Sequence, residues 1–502
     1  MKERQLSFFI DIEQNLGDWT VEKFSADGFA NDSERCKIES KFLKVTEVSD
    51  AFNRQSVSFQ LSKKECIHRW LKYKEGFSAD LVENLIDELN IPTGGVVMDP
   101  FLGSGTTALV CKMNGINSIG FDVLPMTKIS IKAKDALMMY DVMELRKIYE
   151  DFCNAQIPPD YDGKFPYISM TDGAFPDDSE REVVYFSEWL DNYECSDIAK
   201  NLFKLCIINS LETSSYTRKD GQYLAWDSRS KKIINANKER EKVGKKPIDR
   251  LNKGCIPPFS SVLKQEFQKV ISDVEHLQKS LPQNNATIDF KEGSSLLELP
   301  KMKGEILDGV ITSPPYCNRY DYTRTYALEM NYLGFTSTDI STIRQNLISC
   351  TVENKSKFDF LRDYYSQIGR TDFFDHVIDI INNCKVLNEV KEALQLRNEA
   401  GEINNKGVLR MVDGYFMDLT FIYAEVFRLS KHGASVAVVN DNVRYAGEVI
   451  PVDFISSQLA EDIGYKVKKI YTLKQKKGNS SQQMAKYGRV ALRKSITIWT
   501  KP

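Results

Sequence analysis

The chain is expected to fold as an α/β protein around a mostly parallel sheet, and three stretches carry that expectation. Val96–Thr107 reads as a short apolar strand closing on Asp99, followed by a glycine-broken turn into the apolar helix Ala108-Leu109-Val110-Cys111. Gly309–Tyr316 repeats the plan, with a β-branched strand running into the stop Ser313-Pro314-Pro315-Tyr316. Ser435–Asn440 is a third apolar strand, fed by a helix ending near Leu429 and the turn His432-Gly433-Ala434. Buried-type strands separated by helical stretches are the pattern of parallel pairing.

The first two stretches also carry chemistry. Glycines at 103 and 105 let the backbone approach a ligand closely, and the helix start that follows offers unpaired N–H groups. Asp99 at the strand tip suits a cationic or hydroxyl-bearing ligand. The Gly-Lys-Ser/Thr of a phosphate-binding loop is absent. In the second stretch the prolines fix φ and remove donors, so Ser313 and the Pro314 carbonyl stand as rigid acceptors beside the Tyr316 ring. That set fits a planar amine: acceptors for its hydrogens and an aromatic face for its ring. The bland readings are a tight turn for the glycines and a surface turn or polyproline ligand for Ser-Pro-Pro-Tyr. Finding both after core-type strands in one chain favours a site.

Together the two motifs resemble those of the amino-directed, S-adenosylmethionine-dependent DNA methyltransferases, which make N4-methylcytosine or N6-methyladenine. Asp99-Pro100-Phe101-Leu102-Gly103-Ser104-Gly105-Thr106-Thr107 is similar to their cofactor motif, and Ser313-Pro314-Pro315-Tyr316 to their catalytic motif. Ser118-Ile119-Gly120-Phe121-Asp122 stands where the family has a ribose-binding carboxylate. Phe290–Ser295 stands where it has a Gly-Asp near the adenine, with Ser294 here in place of the acid. Trp70–Ser78, including Phe77 and Ser78, resembles the segment that closes over the methionine end of the cofactor. The resemblance runs from about Ser56 to the C-terminus. It implies a Rossmann-like class I methyltransferase fold: a mostly parallel seven-stranded sheet with an antiparallel C-terminal hairpin, plus inserted target-recognition regions. The implied cofactor is S-adenosyl-L-methionine, the implied substrate double-stranded DNA with a flipped target base, and the implied partner a cognate restriction or defence component.

Bulk composition fits such an enzyme. The chain has 502 residues, enough for one large core and an added domain or two. Lys+Arg 67 against Asp+Glu 70 leaves a net charge of −3, so a DNA face must be a local patch. Ten cysteines without a Cys-x-x-Cys pair, and only 4 histidines, argue against a zinc site or disulfide framework. No signal peptide or membrane-length apolar run is visible, so a cytoplasmic, DNA-associated protein is expected.

Six segments follow. Residues 1–54 form an N-terminal extension without an interpretable motif. Residues 55–154 hold the cofactor motif, with helices expected at Ala79–Leu89 and over Met126–Phe152. Residues 155–285 are an insert rich in aromatic and basic residues, the favoured target-recognition region. Residues 286–335 carry the catalytic motif, and 336–413 a helical insert with helices at Phe373–Val386 and Val390–Arg397. Residues 414–502 complete the core with a helix to Leu429, the strand at 435, a helix at Pro451–Leu459, a strand at Tyr465–Leu473 and a closing antiparallel edge strand, Ser495–Trp499.

DNA contacts are expected in two places. Arg229, Lys231 and Lys232 stand among stacking aromatics in the first insert, a mixture suited to reading base edges; the alternative is that those aromatics are a small domain's core. Lys474, Lys476 and Lys477 belong to a run free of acids, suited to phosphate. Cys317 beside Tyr316 lacks the Pro-Cys context of a cytosine-C5 nucleophile and reads as a buried thiol. Asn318, Arg319, Asp321 and Tyr322 are pocket candidates. Among relatives, Ser before Pro-Pro accompanies N4-cytosine methylation and Asp accompanies adenine, so N4-cytosine is favoured here. The rival readings are a fused nuclease around Glu39-Ser40-Lys41, a non-catalytic cofactor- or DNA-binding subunit, and RNA or protein-glutamine methylation, where Asn usually replaces Ser313.

Overall fold

The computed structural model describes residues 21, 23–49, 51–53, 55–220, 223–249, 251–282, 284–473, 484–488, 490 and 492–502. Its strands are β1 (Thr46–Val48), β2 (Val96–Asp99), β3 (Asn117–Asp122), β4 (Thr217–Asp220), β5 (Tyr223–Trp226), β6 (Ile288–Glu292), β7 (Leu307–Thr312), β8 (Ser430–Asp441), β9 (Val443–Tyr445), β10 (Glu448–Ile450), β11 (Lys466–Thr472) and β12 (Lys494–Thr500). Eight of them make one sheet in the order β1-β11-β12-β8-β7-β2-β3-β6. Every pairing in it is parallel except the two made by β12. β4–β5 and β9–β10 are separate small hairpins. The expected α/β class and mostly parallel sheet are therefore present.

Two expectations about the sheet are corrected. It has eight strands, because Thr46–Val48 from the N-terminal segment pairs with Ile470–Thr472. The closing strand is an inner one: β12 lies between β11 and β8, and Ser495–Thr500 are all buried. Its Ile-Thr-Ile-Trp-Thr alternation reads as one wet face, but the threonines are buried too: Thr497 Oγ1 donates to the Val438 carbonyl and Thr500 pairs with Ser435. A buried hydroxyl satisfied by a neighbouring strand costs little, and alternation alone does not reveal that.

Residues 21–49 are not a detached extension. Arg35, on the helix Ser33–Phe42, is fully buried between Glu389 and Glu448 at 3.0 and 2.9 Å, joining the N-terminus to the second insert and to β10. The expected single helix 126–152 is broken into Pro125–Asp135 and Val142–Asn154, with a 3-10 turn between them. Asp141 starts the second by accepting the Met143 N–H. The helix expected from residue 414 begins earlier, at Gly407, and runs to Leu429.

Both inserts pack on helices that flank the sheet, the first on Pro125–Asp135 and Val142–Asn154 and the second on Gly407–Leu429 and Val452–Ile463. The first supplies the helices Asp177–Asn192, Asp197–Leu211, Lys231–Lys242 and Phe259–Ser280. Phe152 of the cofactor half meets Phe186, Trp189 and Phe267 of the insert edge-on, so the insert shares the protein's main core. The second insert adds four helices from Ser337 to Glu399. Within it, Lys357 Nζ and the Ser349 N–H and hydroxyl all donate to the buried Asp418 of the helix Gly407–Leu429, at 2.6–2.8 Å. Among the described residues no helix is long and apolar enough to cross a membrane.

Candidate active site

Parallel strands bring their C-terminal ends to one edge, where ligands of open α/β sheets bind. Here β2 ends in Asp99, β3 in Asp122 and β7 in Thr312, so both motifs meet at the same edge. Asp99 is buried and fully engaged: Oδ1 accepts from Thr312 Oγ1 (2.6 Å) and the Phe101 N–H (3.0 Å), and Oδ2 accepts from Thr107 Oγ1 (2.8 Å). Burial raises its pKa to about 6 against those three bonds. Asp122 holds the glycine turn from the other side, accepting from the Gly103 N–H at 2.8 Å and the Leu124 N–H at 2.7 Å. Burial raises it to about 7 despite the two backbone donors. Gly105 has φ +84°, and a side chain there would collide with Ile131, so glycine is required for the turn.

A cleft with about 690 Å³ of empty volume opens over this edge. Of the residues the sequence singled out for the cofactor, Phe77, Pro100, Phe101, Gly103, Ser104, Thr106, Asp122 and Ser294 line it; of the catalytic set, Ser313 and Pro315 do. The remainder stand behind the wall. Asp99 and Thr107 tie the strand tips together, and Gly105 shapes the turn. Ser78, fully buried, caps the helix Ala79–Glu88 by accepting the Leu81 N–H and donates to the Ser56 carbonyl. Pro314 and Tyr316 do not line it. Of the four further pocket candidates only Tyr322 reaches the cleft; Asp321 instead caps the helix Tyr322–Thr325 and binds Arg344 at 3.0 Å.

Sequence reasoning missed several lining residues. Tyr73 lies against Gly103 and stacks on Tyr326, with centroids 5.3 Å apart and 10° between planes. Glu75 adds a carboxylate whose pKa is raised by burial. Asn346, Leu347 and Ile348 arrive from the second insert. Tyr73 and Glu75 sit inside the quoted run Trp70–Ser78, where a tyrosine before a glycine-containing turn was a readable signal. For Asn346–Ile348 no local signal exists, because a distant insert folds back over the cleft.

At the catalytic end, Ser313 Oγ donates to the Val439 carbonyl at 3.2 Å and lies 3.2 Å from the Tyr316 hydroxyl. With its hydrogen used inside the protein, its lone pairs are available to accept hydrogens from a ligand. Lys494 Nζ stands 4.9 Å from the Tyr316 ring centroid and donates to the Val57 carbonyl at 3.3 Å. Burial pulls the Lys494 pKa down, but Tyr316, Asp441 and Glu75 outweigh it and leave the ammonium favoured. Cys317 is fully buried and burial pushes its thiol well up, which suits packing and opposes a thiolate nucleophile.

The basic candidates of the first insert are engaged within the protein. Arg229 clamps Asp227 with two donors, at 2.8 and 2.9 Å, and donates to the Gly254 carbonyl at 2.8 Å. Lys231 pairs with Asp177 at 3.1 Å, an exposed contact. Lys232 donates to the Met170 carbonyl and covers Trp226 at 4.5 Å. Lys474, Lys476 and Lys477 lie outside the described residues. Leu473, the residue before them, is placed: its N–H donates to the Lys494 carbonyl at 3.0 Å, at the edge that carries Asp99 and Ser313.

The chain is similar to known DNA methyltransferases. A family model described as DNA methylase, of the N6/N4 methyltransferase class, matches residues 23–129. The Type II methyltransferase M.BsoBI of Geobacillus stearothermophilus is 50% identical over 493 residues, covering 98% of this chain and 97% of that protein. The Type II methyltransferase M.AvaI of Nostoc sp. is 36% identical over 498 residues, covering 95% of each. The Type II methyltransferase M.MjaII of Methanocaldococcus jannaschii is 39% identical over 97 residues, 19% of this chain. With two relatives matched almost end to end and a cleft built from both motifs, the chain belongs to the N6/N4 family of Type II DNA methyltransferases, which take their methyl group from S-adenosylmethionine.

Proposed function

We propose that the chain methylates the exocyclic N4 amine of cytosine at a specific DNA site, as the modification activity of a restriction–modification or phage-defence system in the bacterial cytoplasm. The observation that carries this reading is the Ser313 hydroxyl: it lines the cleft beside Pro315, and its one hydrogen has acceptors inside the protein, the Val439 carbonyl and the Tyr316 hydroxyl, each 3.2 Å away.

An exocyclic amine is a poor nucleophile because its lone pair is delocalised into the ring. Fixed acceptors for both amine hydrogens draw nitrogen toward a tetrahedral shape and localise that pair. Ser313 Oγ and the Pro314 carbonyl are those acceptors, held in advance by the two prolines. The target base leaves the duplex to reach them, and Tyr316 supplies an aromatic surface beside it. Bound S-adenosylmethionine supplies an electrophilic methyl group on sulfur. The amine would take that methyl group as the C–S electron pair stays on sulfur, and its extra proton would leave to water. Glu75 and Asp122 are the cleft carboxylates placed to attract a cationic cofactor.

Target recognition is assigned to the first insert, residues 155–285, which lies between the two motifs in sequence. Phosphate contact is assigned to Lys474, Lys476 and Lys477, which follow Leu473 at the edge that carries Ser313. The same acceptors fit adenine N6, and the family class includes both bases. Mass spectrometry of nucleosides from DNA methylated by the purified enzyme distinguishes them: N4-methylcytosine supports this reading, and N6-methyladenine replaces it with the adenine one. The absence of any methylated base would return the chain to the reading as a non-catalytic subunit.

A further inference from the structure

Beneath the glycine turn of the cleft lies a charge that the two motifs do not account for. Lys134, in the last turn of the helix Pro125–Asp135, is 1% exposed. Its ammonium donates to the Ser104 carbonyl at 2.7 Å, an oxygen that also accepts from Ser130 Oγ at 3.4 Å. Among the described residues no carboxylate forms an ion pair with it. Its neighbour Asp135 is engaged by Lys112 at 2.5 Å. Burial lowers the Lys134 pKa to about 7. The buried His68 is held neutral by burial and by the Lys134 charge, and its Nδ1 has no hydrogen-bond partner. An ammonium placed in such surroundings destabilises the fold unless something is gained, and an apolar side chain of the same length would fill the space more favourably.

What the ammonium touches indicates the gain. Gly103, Ser104 and Thr106 line the cleft, and the peptide between Ser104 and Gly105 is the pivot of that turn. Its N–H is taken by the Leu102 carbonyl at 2.9 Å, and its carbonyl is turned inward to Lys134. With that oxygen taken up inside the protein, the turn keeps the form in which Gly103, Ser104 and Thr106, the first residue of the helix Thr106–Met113, line the cleft. If the peptide flipped, its carbonyl would face the Leu102 carbonyl and the turn that forms this wall of the cleft would open.

We propose that Lys134 is a positioning residue for S-adenosylmethionine: through the Ser104 carbonyl it locks the cofactor turn in its binding-competent form. The proposal rests on the assignment of this cleft to the cofactor. The test compares Lys134→Met, which removes the donor and the charge, with Lys134→Gln, which keeps a donor. Cofactor affinity is measured by calorimetry, turnover on DNA at saturating cofactor, and stability by thermal melting. Lys134→Met is expected to weaken cofactor binding about tenfold or more, to leave saturated turnover within about twofold, and to melt no lower than the parent. Lys134→Gln is expected to recover most of the lost affinity. Wild-type affinity in a folded Lys134→Met protein would overturn the proposal. So would equal losses of affinity, turnover and melting temperature in both variants, which would mark a packing role. If Lys134→Met does not fold, the glutamine variant decides alone: an affinity as weak as that expected of methionine, with unchanged melting, refutes the hydrogen-bond role. Failure of the parent enzyme itself to bind S-adenosylmethionine would instead refute the assignment of the cleft.

Discussion

Thr312 Oγ1 donates to Asp99 Oδ1 across 2.6 Å, so the last residue of β7 is bonded to the last residue of β2. Thr107 reaches the other oxygen of the same carboxylate at 2.8 Å. One buried side chain therefore joins the glycine turn to the strand that leads into Ser313. Any motion of Ser313-Pro314-Pro315-Tyr316 relative to the glycine turn must strain this joint.

Removing the carboxylate should affect both halves of the site. In Asp99→Ala the Thr312 hydroxyl and the Phe101 N–H lose their acceptor and Thr107 keeps only the Ile311 carbonyl at 3.4 Å; each buried orphan costs about 1–3 kcal/mol. Cofactor affinity is expected to fall more than tenfold, with a lowered melting temperature. Thr312→Val removes only the catalytic side of the joint and should reduce turnover severalfold while binding stays near the parent value. Calorimetry and single-turnover rates on the two variants check this. Parent-like affinity in Asp99→Ala would dismiss the joint's role in binding.

Substitutions at the catalytic motif should separate chemistry from cofactor binding. Ser313→Ala and Tyr316→Ala are expected to bind S-adenosylmethionine normally and lose turnover by about a hundredfold or more, the scale of a lost preorganised electrostatic contact. Tyr316→Phe should be milder, because the ring face remains and only the hydroxyl beside Ser313 is lost. A Ser313→Ala enzyme working at the parent rate would exclude the hydroxyl as acceptor.

Asp122 carries a pH signature. Its carboxyl is raised from 3.8 to about 7, first by burial. In the ligand-free protein its contribution to stability is full below about pH 4 and is lost as pH rises through about 7, since the folded state holds a proton that the unfolded chain would release. Cofactor hydroxyls donating to the carboxylate, and cofactor positive charge near it, favour the ionised form. Binding near pH 6–7 is therefore expected to release up to one proton and to strengthen as pH rises through about 7. Calorimetry in buffers of different ionisation enthalpy reads that proton directly. Asp122→Asn should abolish the release and bind more weakly.

The two basic groups should differ on DNA. Replacing Lys474, Lys476 and Lys477 with alanine is expected to weaken matched and mismatched duplexes alike and to lower the slope of log K against log salt by about 2–3, as three phosphate contacts require. Arg229→Ala should act mainly on stability, because its guanidinium clamps Asp227 and the Gly254 carbonyl. Lys231 and Lys232 should change discrimination between sites only if the first insert reads bases. Binding measured across salt on both duplexes, with melting curves, separates the outcomes. Unchanged discrimination would move recognition to the second insert.

Local sequence determined the strand–turn–helix at Val96–Cys111, the stop at Ser313–Tyr316 and the acids at the tips of β2 and β3. Each is a short-range matter of β-branched residues, glycine freedom and proline rigidity, written in consecutive residues. The parallel sheet followed from strands alternating with helices. Tertiary structure alone decided the rest. Thr46–Val48 is too short and polar to announce an eighth strand until β11 offers it a partner. β12 reads as an edge because burial of its threonines depends on β8 beside it. The aromatics of the first insert pack largely into the main core, and Asn346–Ile348 reach the cleft from a distant insert anchored through Asp418. Lys134 looks like one more surface lysine of an amphipathic helix, and only the fold turns it inward to the Ser104 carbonyl. Contacts between residues far apart in the chain depend on packing geometry, which no local pattern encodes.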